Sequence, residues 1–187
     1  MREGRLFVIT GPSGVGKGTL IKELLERVPG LELSVSATTR QPRSGERHGL
    51  DYHFLPAGEF ERRLEKGDFM EHAAYSGHLY GTLLSEVQPR LERGTSVVLE
   101  IEVQGARQVR KRMPDAVLVF IAPPNPQALR ERLVGRGTDP PDQIDRRLEV
   151  ATEELEAQSE FTHVIVSDDL ERAADELEAL VRAKLSE

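Results

Sequence analysis

A glycine-rich segment near the start of the chain carries the strongest chemical signal in the sequence. Residues 11–19 read Gly-Pro-Ser-Gly-Val-Gly-Lys-Gly-Thr, which places two glycines and Lys17 at the GxxxxGK spacing. Glycines permit the backbone angles that turn several N–H groups toward one anion. Lys17 supplies a formal charge to the outer phosphates of ATP, which makes it a candidate catalytic residue as well. We assign ATP binding to Gly11, Pro12, Ser13, Gly14, Val15, Gly16, Lys17, Gly18 and Thr19.

The segments on either side of this loop are those that a phosphate site requires. Residues 6–10 form an apolar run that predicts a buried strand, and residues 19–27 carry apolar side chains at helical spacing. An ordinary glycine turn is the alternative, and a strand before it with a helix after it disfavours that reading. Gly18 stands where many such loops carry a Ser or Thr that binds Mg²⁺. We expect Mg²⁺ to arrive with ATP and to be held mainly by phosphates and water, or Thr19 to contact phosphate without touching the metal.

The rest of the chain alternates short apolar runs with helical patterns. Strands are predicted at residues 96–101, 116–121 and 163–166, with 33–37 as a further candidate. Helical patterns cover residues 84–93, 104–113, 127–134, 143–159 and 170–185. Buried strands separated by helices predict an α/β fold with a parallel sheet flanked by helices on both faces.

Two polar segments interrupt this alternation. Residues 38–80 are rich in Arg, Gly and polar side chains and read as a small inserted domain. Residues 135–147 contain two glycines and two prolines between helical patterns, which is typical of a mobile lid over an active site. We therefore predict a core domain at 1–35 and 84–187, a lid at about 126–148 within it, and an insert at 36–83.

The insert contains side chains suited to binding a second anion. Arg40 and Arg43 lie three residues apart, with Pro42 stiffening the chain between them, and can form a forked clamp on one phosphate. Tyr52 and Tyr80 offer phenolic donors. Taken alone, these residues fit a solvated basic loop equally well.

The composition excludes several classes of protein. The chain has no cysteine, which rules out disulfides and thiolate metal sites. Its net charge is −7, whereas a nucleic-acid binder usually carries a basic face. No apolar stretch is long enough to cross a bilayer, and the residues before the first strand do not read as a signal peptide. We expect a cytoplasmic protein without nucleic-acid or membrane partners, and its oligomeric state stays open.

The insert also carries a longer pattern, S-x-T-T-R-x-P-R-x-G-E followed by G-x-D-Y-x-F, which resembles the signature of guanylate kinases. Similar segments follow in order at residues 69–71, 76–82, 99–105 and 164–169, so the resemblance covers essentially the whole chain. It implies a P-loop kinase core with an inserted domain that binds a nucleoside monophosphate. The implied reaction transfers the γ-phosphoryl group of ATP to GMP, giving ADP and GDP, with dGMP as a further candidate acceptor.

The resemblance also implies roles for the residues of the insert. The GMP phosphate would be bound by Arg40, Arg43, Tyr52 and Tyr80, and guanine would be read by Ser36, Glu71 and Thr82. Guanine presents its N1–H and 2-amino donors side by side, and one carboxylate accepts both. Adenine lacks this pair, so that a buried carboxylate left unpaired would penalise AMP.

Glu100 and Glu102 follow an apolar strand, and the carboxyl ends of parallel strands face the ligand crevice. A carboxylate there can hold the water shell of Mg²⁺, and the resemblance implies that one of the two also approaches the guanine amino group. We assign Glu100 to Mg²⁺ through water and Glu102 to GMP, although either could face the metal. In the alternative reading, one of the two only caps the following helix.

The resemblance further implies a lid whose arginines, with Lys17, neutralise the charge of the transferring group. The candidates are Arg132, Arg136, Arg146 and Arg147. Ion pairing with the abundant carboxylates is the alternative for any one of them. Two other functions compete with the kinase: an interaction module that has lost catalysis, which an intact phosphate loop disfavours, and a related kinase with another acceptor, which Ser36 and Glu71 disfavour.

Overall fold

The structure is a computed structural model that describes residues 3–135 and 141–187. Its strands are β1 (Leu6–Thr10), β2 (Leu31–Leu33), β3 (Ala37–Thr38), β4 (His53–Phe54), β5 (Phe69–Tyr75), β6 (His78–Leu83), β7 (Ser96–Glu100), β8 (Val117–Ala122) and β9 (His163–Val166). Its helices are α1 (Lys17–Arg27), α2 (Ala57–Glu65), α3 (Leu84–Glu92), α4 (Val103–Arg112), α5 (Pro126–Gly135), α6 (Pro141–Glu156) and α7 (Leu170–Ser186), with a 3₁₀ helix at Ala157–Glu160. In the described part of the chain, no helix combines the length and apolar character that spanning a bilayer requires.

The strands form two sheets of different character. The larger sheet has the order β2-β7-β1-β8-β9, and its pairs β2 with β7 and β8 with β9 are parallel. Every residue of β1 and β8 is buried, as expected for strands with both faces covered. The smaller sheet has the order β4-β3-β6-β5 and contains antiparallel pairs. The parallel α/β core predicted from the sequence is confirmed.

The contacts between Cα atoms divide the chain into two compact units, and the division falls within β1. The first unit contains the residues up to Phe7 together with Gly30–Ala116, and the second contains Val8–Pro29 together with Val117–Glu187. The whole of the predicted insert, residues 36–83, lies in the first unit, with β2, β7, α3 and α4. The predicted domain boundaries themselves stay a prediction.

Within the first unit, the smaller sheet has its own apolar core. Phe60 of α2 stacks on Phe69 of β5 with ring centroids 4.3 Å apart, and Ala37 and Leu83 complete the cluster. β5 and β6 form a hairpin whose turn residues Ser76 and Gly77 have φ values of 50° and 80°, as a tight hairpin turn requires. Neither α2 nor this antiparallel pairing follows from the patterns in the sequence.

Two sequence predictions are wrong in their boundaries. No strand spans residues 33–37, because β2 ends at Leu33 and β3 begins at Ala37. The intervening residues pass from one sheet to the other: the Ser34 N–H donates to Val98 O (2.9 Å), whereas the O atom of Ser36 accepts from His53 N (2.8 Å). The helix predicted at residues 143–159 begins earlier, at Pro141, since proline fits the first position of a helix without losing a hydrogen bond. The lid itself stays a prediction.

Candidate active site

In the second unit, the loop from Gly11 to Lys17 has a backbone that only glycine adopts without strain. Gly11, Gly14 and Gly16 have φ values of 148°, 88° and 103°. A Cβ on Gly11 would lie 2.3 Å from Ile121 O, so the loop also lies too close to β8 to admit a side chain there. α1 begins directly after Gly16, and no side chain caps it. The N–H groups of its first turn therefore remain available to an anion.

The side chain of Lys17 turns back across this loop. Its Nζ donates a hydrogen bond to Gly11 O at 2.5 Å, and the residue is only 9% exposed. A buried ammonium group is costly unless an anion or several acceptors accompany it. The next two residues, Gly18 and Thr19, are exposed. The loop therefore offers one buried cation and a helix N-terminus to a phosphate chain.

Two of the predicted lid arginines contact the same loop. Arg132 of α5 donates from Nη1 to Val15 O (2.9 Å), and Arg147 of α6 donates from Nη2 to Ser13 Oγ (2.5 Å). These contacts place two further guanidinium groups beside Lys17's loop. Arg146 is exposed on α6, and Arg136 lies outside the described residues. The structure thus brings together two of the four arginines that the sequence singled out.

Ser167 holds this arrangement together, a role that the sequence did not reveal. It is 3% exposed, and its Oγ donates to Val15 O at 3.1 Å. Its own carbonyl oxygen accepts from Arg132 Nη2 at 2.5 Å. Ser167 and Arg132 therefore converge on the same carbonyl group of the loop. Because Val15 and Ser167 are 152 positions apart, no local pattern announces the contact.

In the first unit, Arg40 lies at the centre of an aromatic and acidic cluster. Its Nη1 and Nη2 atoms donate to the two carboxylate oxygens of Glu46, each at 2.9 Å. Its guanidinium carbon lies 5.2 Å from the centre of the Tyr52 ring, and the Tyr52 and Tyr80 rings are 6.1 Å apart. Three of the four predicted phosphate-binding residues are therefore close neighbours.

The charges of this cluster depend on one another. The hydrogen bond from Arg40 lowers the pKa of Glu46 to about 2, with a further contribution from the Arg43 N–H, which donates to Glu46 Oε2 at 2.6 Å. The pKa of Arg40 is raised, first by Glu46 and then by a hydrogen bond with Tyr80. Burial, followed by the proximity of Tyr80, raises the pKa of Tyr52. The side chain of Arg43, the fourth predicted residue, is exposed.

Glu71 and Thr82 form a buried pair on neighbouring strands. They are register partners of β5 and β6, and Thr82 Oγ1 donates to Glu71 Oε1 at 2.7 Å. A β-bulge between Phe69 and Glu71 precedes the pair, and bulges re-aim side chains near active sites. Ala37 pairs with Gly81, which brings the preceding residue, Ser36, to the side of Thr82. The three residues predicted to read guanine therefore come from β5, from β6 and from the position just before β3.

Burial changes the acidity of Glu71. The residue is 4% exposed, and the loss of water raises its pKa from 4.5 to about 7, despite hydrogen bonds from Thr82 that act the other way. The nearby charge of Glu102 also raises this pKa. A buried carboxylate of this kind binds hydrogen-bond donors of a ligand favourably, because few water molecules reach it to donate in their place.

The two glutamates at the end of β7 and just after it take different positions. Glu102 is the N-cap residue of α4, yet its side chain makes no capping hydrogen bond, and its charge acts on Glu71. Capping by the side chain therefore does not account for Glu102. Glu100 is the last residue of β7, is exposed, and acts electrostatically on Tyr52. The charges of both carboxylates thus act on residues predicted to bind GMP.

The raised pKa of Glu71 predicts that replacing it stabilises the empty protein. The unfolded chain ionises this group near pH 4.5 and the folded chain near pH 7, so its contribution is fully present below the lower value and is lost as the pH rises through the higher one. We expect Glu71→Gln to raise the free energy of unfolding at pH 8 by about 2 kcal/mol, with little difference near pH 4.5. Urea denaturation at both pH values measures this, and an equal difference at the two would contradict it.

Comparison with known proteins places these features in one family. A family model described as guanylate kinase matches residues 3–184. The guanylate kinase of Rubrobacter xylanophilus is 53% identical over 182 residues, which cover 97% of this chain and 95% of the relative. That of a Synechococcus strain is 53% identical over 175 residues, which cover 94% of each chain.

A solved structure agrees with the sequence relatives. The crystal structure of guanylate kinase from Anaplasma phagocytophilum superposes with a TM-score of 0.81 at 32% identity, covering 100% of this chain and 89% of the other. The resemblance inferred from the insert's motifs is therefore confirmed by matches to the whole sequence and to the fold. The chain belongs to the guanylate kinase family.

Proposed function

We propose that the glycine loop of the second unit binds the phosphates of ATP and that the first unit binds GMP through the residues described above. The reaction is that of the family, the ATP-dependent phosphorylation of GMP to GDP. The observation that carries our assignment is the buried Glu71, whose Oε1 is held by Thr82 at 2.7 Å. A carboxylate in this setting accepts the N1–H and 2-amino donors of guanine together, and adenine offers no such pair.

On this proposal, the protein contributes charge and position rather than covalent chemistry. The phosphate of GMP is already an anionic nucleophile, and no general base is needed. Lys17 neutralises the outer phosphates of ATP, with Arg132 and Arg147 as further cations, and Arg146 and Arg136 as the remaining candidates of the lid. Arg40 and the phenols of Tyr52 and Tyr80 orient the acceptor, with Arg43 as a second clamp. Transfer requires the acceptor oxygen to be in line with the γ-phosphoryl group.

Mg²⁺ is the cofactor that we propose for this reaction. When bound, it would supply positive charge against the negative charge that develops on the transferring phosphoryl group. No cluster of three or more His, Asp or Glu side chains suited to a metal ion occurs among residues 3–135 and 141–187. Mg²⁺ usually keeps several water and phosphate ligands and needs few ligands from the protein, so we propose that it arrives with the nucleotide. Glu100 is the residue that we propose to hold it through water, and we propose that Thr19 contacts phosphate without touching the metal.

The proposed site is tested by initial rates with ATP and Mg²⁺ across GMP, dGMP, AMP, CMP and UMP. We expect GMP to exceed AMP in kcat/KM by about 10³-fold or more, because a site that pairs its polar groups with one base leaves them unpaired with the other. The same series measures the use of dGMP. Equal rates on AMP and GMP would defeat the role assigned to Glu71. A cytoplasmic location and a place in guanine nucleotide metabolism form part of the same proposal.

A further inference from the structure

The carboxylate of Glu71 lies against α4 at a residue that has no side chain. A Cβ added to Gly105 would lie 2.3 Å from Glu71 Oε2 and 3.0 Å from its Cδ. The first separation is far shorter than two such atoms tolerate, and the second is tighter than most Cβ contacts. Gly105 is the third residue of α4, where a helix N-terminus also favours negative charge. The absence of a side chain at position 105 is therefore what leaves room for the Glu71 carboxylate.

Gln108, three positions after Gly105 on α4, hydrogen-bonds to the backbone of the residue that follows Glu71. Gln108 Nε2 donates to His72 O at 2.6 Å, and the His72 N–H donates to Gln108 Oε1 at 3.1 Å. One side chain thus makes both hydrogen bonds that a neighbouring strand would make. One turn further along, Arg112 donates to Phe69 O. Residues three and four positions apart share one face of a helix, so α4 contacts β5 on both sides of Glu71.

We propose that Gly105 and Gln108 form a seat on α4 that positions the Glu71 carboxylate for guanine, which makes Gly105 a determinant of nucleotide specificity. This inference rests on the proposed reading of guanine by Glu71. Gln108 hydrogen-bonds to the backbone of His72, and Thr82 donates a hydrogen bond to Glu71 Oε1. Glu71 Oε2 occupies the space that a side chain at position 105 would fill. The orientation of the carboxylate is set by two elements, β6 and α4, rather than by its own strand alone.

An added methyl group at position 105 acts mainly on the carboxylate. The other atom close to the added Cβ is Ile101 Cδ1 at 3.3 Å, which a small shift of a side-chain end relieves. Alanine is a better helix former than glycine. The backbone of β5 at His72 stays held by Gln108. Gly105→Ala therefore displaces Glu71 Oε2 and leaves the fold intact.

The test compares Gly105→Ala with Gly58→Ala, a matched change at a glycine of α2 where an added Cβ meets nothing within 4 Å. We expect Gly105→Ala to raise the KM for GMP about tenfold, with the KM for ATP and the kcat at saturating GMP within about twofold. Gly58→Ala should change none of these. If Gly58→Ala raised the KM for GMP equally, the effect would belong to any helical glycine and the proposal would be overturned.

Gln108→Ala tests the second residue of the seat. It remains a test of the proposal if Gly105→Ala does not fold. The loss of both hydrogen bonds to His72 should raise the KM for GMP about fivefold while kcat at saturating GMP holds. An unchanged KM in this variant contradicts the proposal. Thermal unfolding of each variant establishes that the kinetic change does not come from loss of the folded state.

Glu71→Ala separates the seat from the function that it serves. In that background Gly105→Ala should have no further effect on GMP, because no carboxylate remains to be displaced. If Glu71→Ala raises the KM for GMP and Gly105→Ala does not, the seat is wrong and the proposed reading of guanine stands. If Glu71→Ala itself leaves the KM for GMP unchanged, the proposed reading fails, and the seat fails with it.

Discussion

Replacement of Lys17 by alanine is expected to lower kcat by about 10³-fold, because a preorganised charge on the transferring phosphates is lost at a site where water cannot replace it. The binding of GMP should stay within about twofold, since Lys17 lies in the second unit and the proposed GMP residues lie in the first. A coupled assay of ADP formation measures the first effect. Titration calorimetry with GMP measures the second.

The matched control for this prediction is Lys22→Ala in the same helix. Lys22 is 76% exposed and lies 4.0 Å from Glu26, so it shares the charge and the helix of Lys17 but not its burial. We expect Lys22→Ala to retain full activity. A large loss of GMP affinity in Lys17→Ala would contradict the assignment of the two nucleotides to separate sets of residues.

Replacement of Glu71 by alanine is expected to lower kcat/KM for GMP by about 10²- to 10⁴-fold, because two hydrogen bonds from guanine to an ionised group are lost. The KM for ATP should remain near its original value. AMP makes no use of the carboxylate, so its kcat/KM should stay the same or rise, and the preference for GMP should collapse. Initial rates with the two monophosphates measure this ratio.

Glu61→Ala on α2 serves as the control for Glu71→Ala, since Glu61 is an exposed glutamate of the same unit. It should leave both rates unchanged. A parallel fall in the use of AMP and GMP by Glu71→Ala would mean that the residue supports the insert as a whole and does not discriminate between bases.

The elements that the sequence predicted well are those with long, buried, local signals. β1 and β8 are wholly buried strands of five and six residues, and unbroken apolar runs announce both. The smaller sheet was not predicted because β3 and β4 have only two residues each, too few for a period to appear. The polar helix α2, with Phe60 as its one buried residue, gives an equally weak pattern.

The candidate site likewise has a part that the sequence predicted and a part that it did not. The glycine loop is contiguous, and its spacing alone predicts its chemistry. The contacts of Arg132 with Val15 and of Gln108 with His72 join residues 117 and 36 positions apart, and no window of sequence contains both partners. Glu46 is the last residue of the first guanylate kinase motif, yet the sequence predicted no role for it. In the structure its carboxylate accepts hydrogen bonds from Arg40.

The pairing of Arg40 with Glu46 affects which anions the cluster of Arg40, Tyr52 and Tyr80 can bind. In the structure, the arginine already holds a carboxylate supplied from six residues along its own chain, with both oxygens engaged. Chloride and acetate carry one negative charge, as the Glu46 carboxylate does. They would bind Arg40 from dilute solution, whereas Glu46 belongs to the same chain and is always close. A phosphate monoester brings nearly two charges and three oxygens. We therefore expect the cluster around Arg40 to favour a dianionic phosphate over a monoanion, because Glu46 competes for Arg40 with any anion from solution.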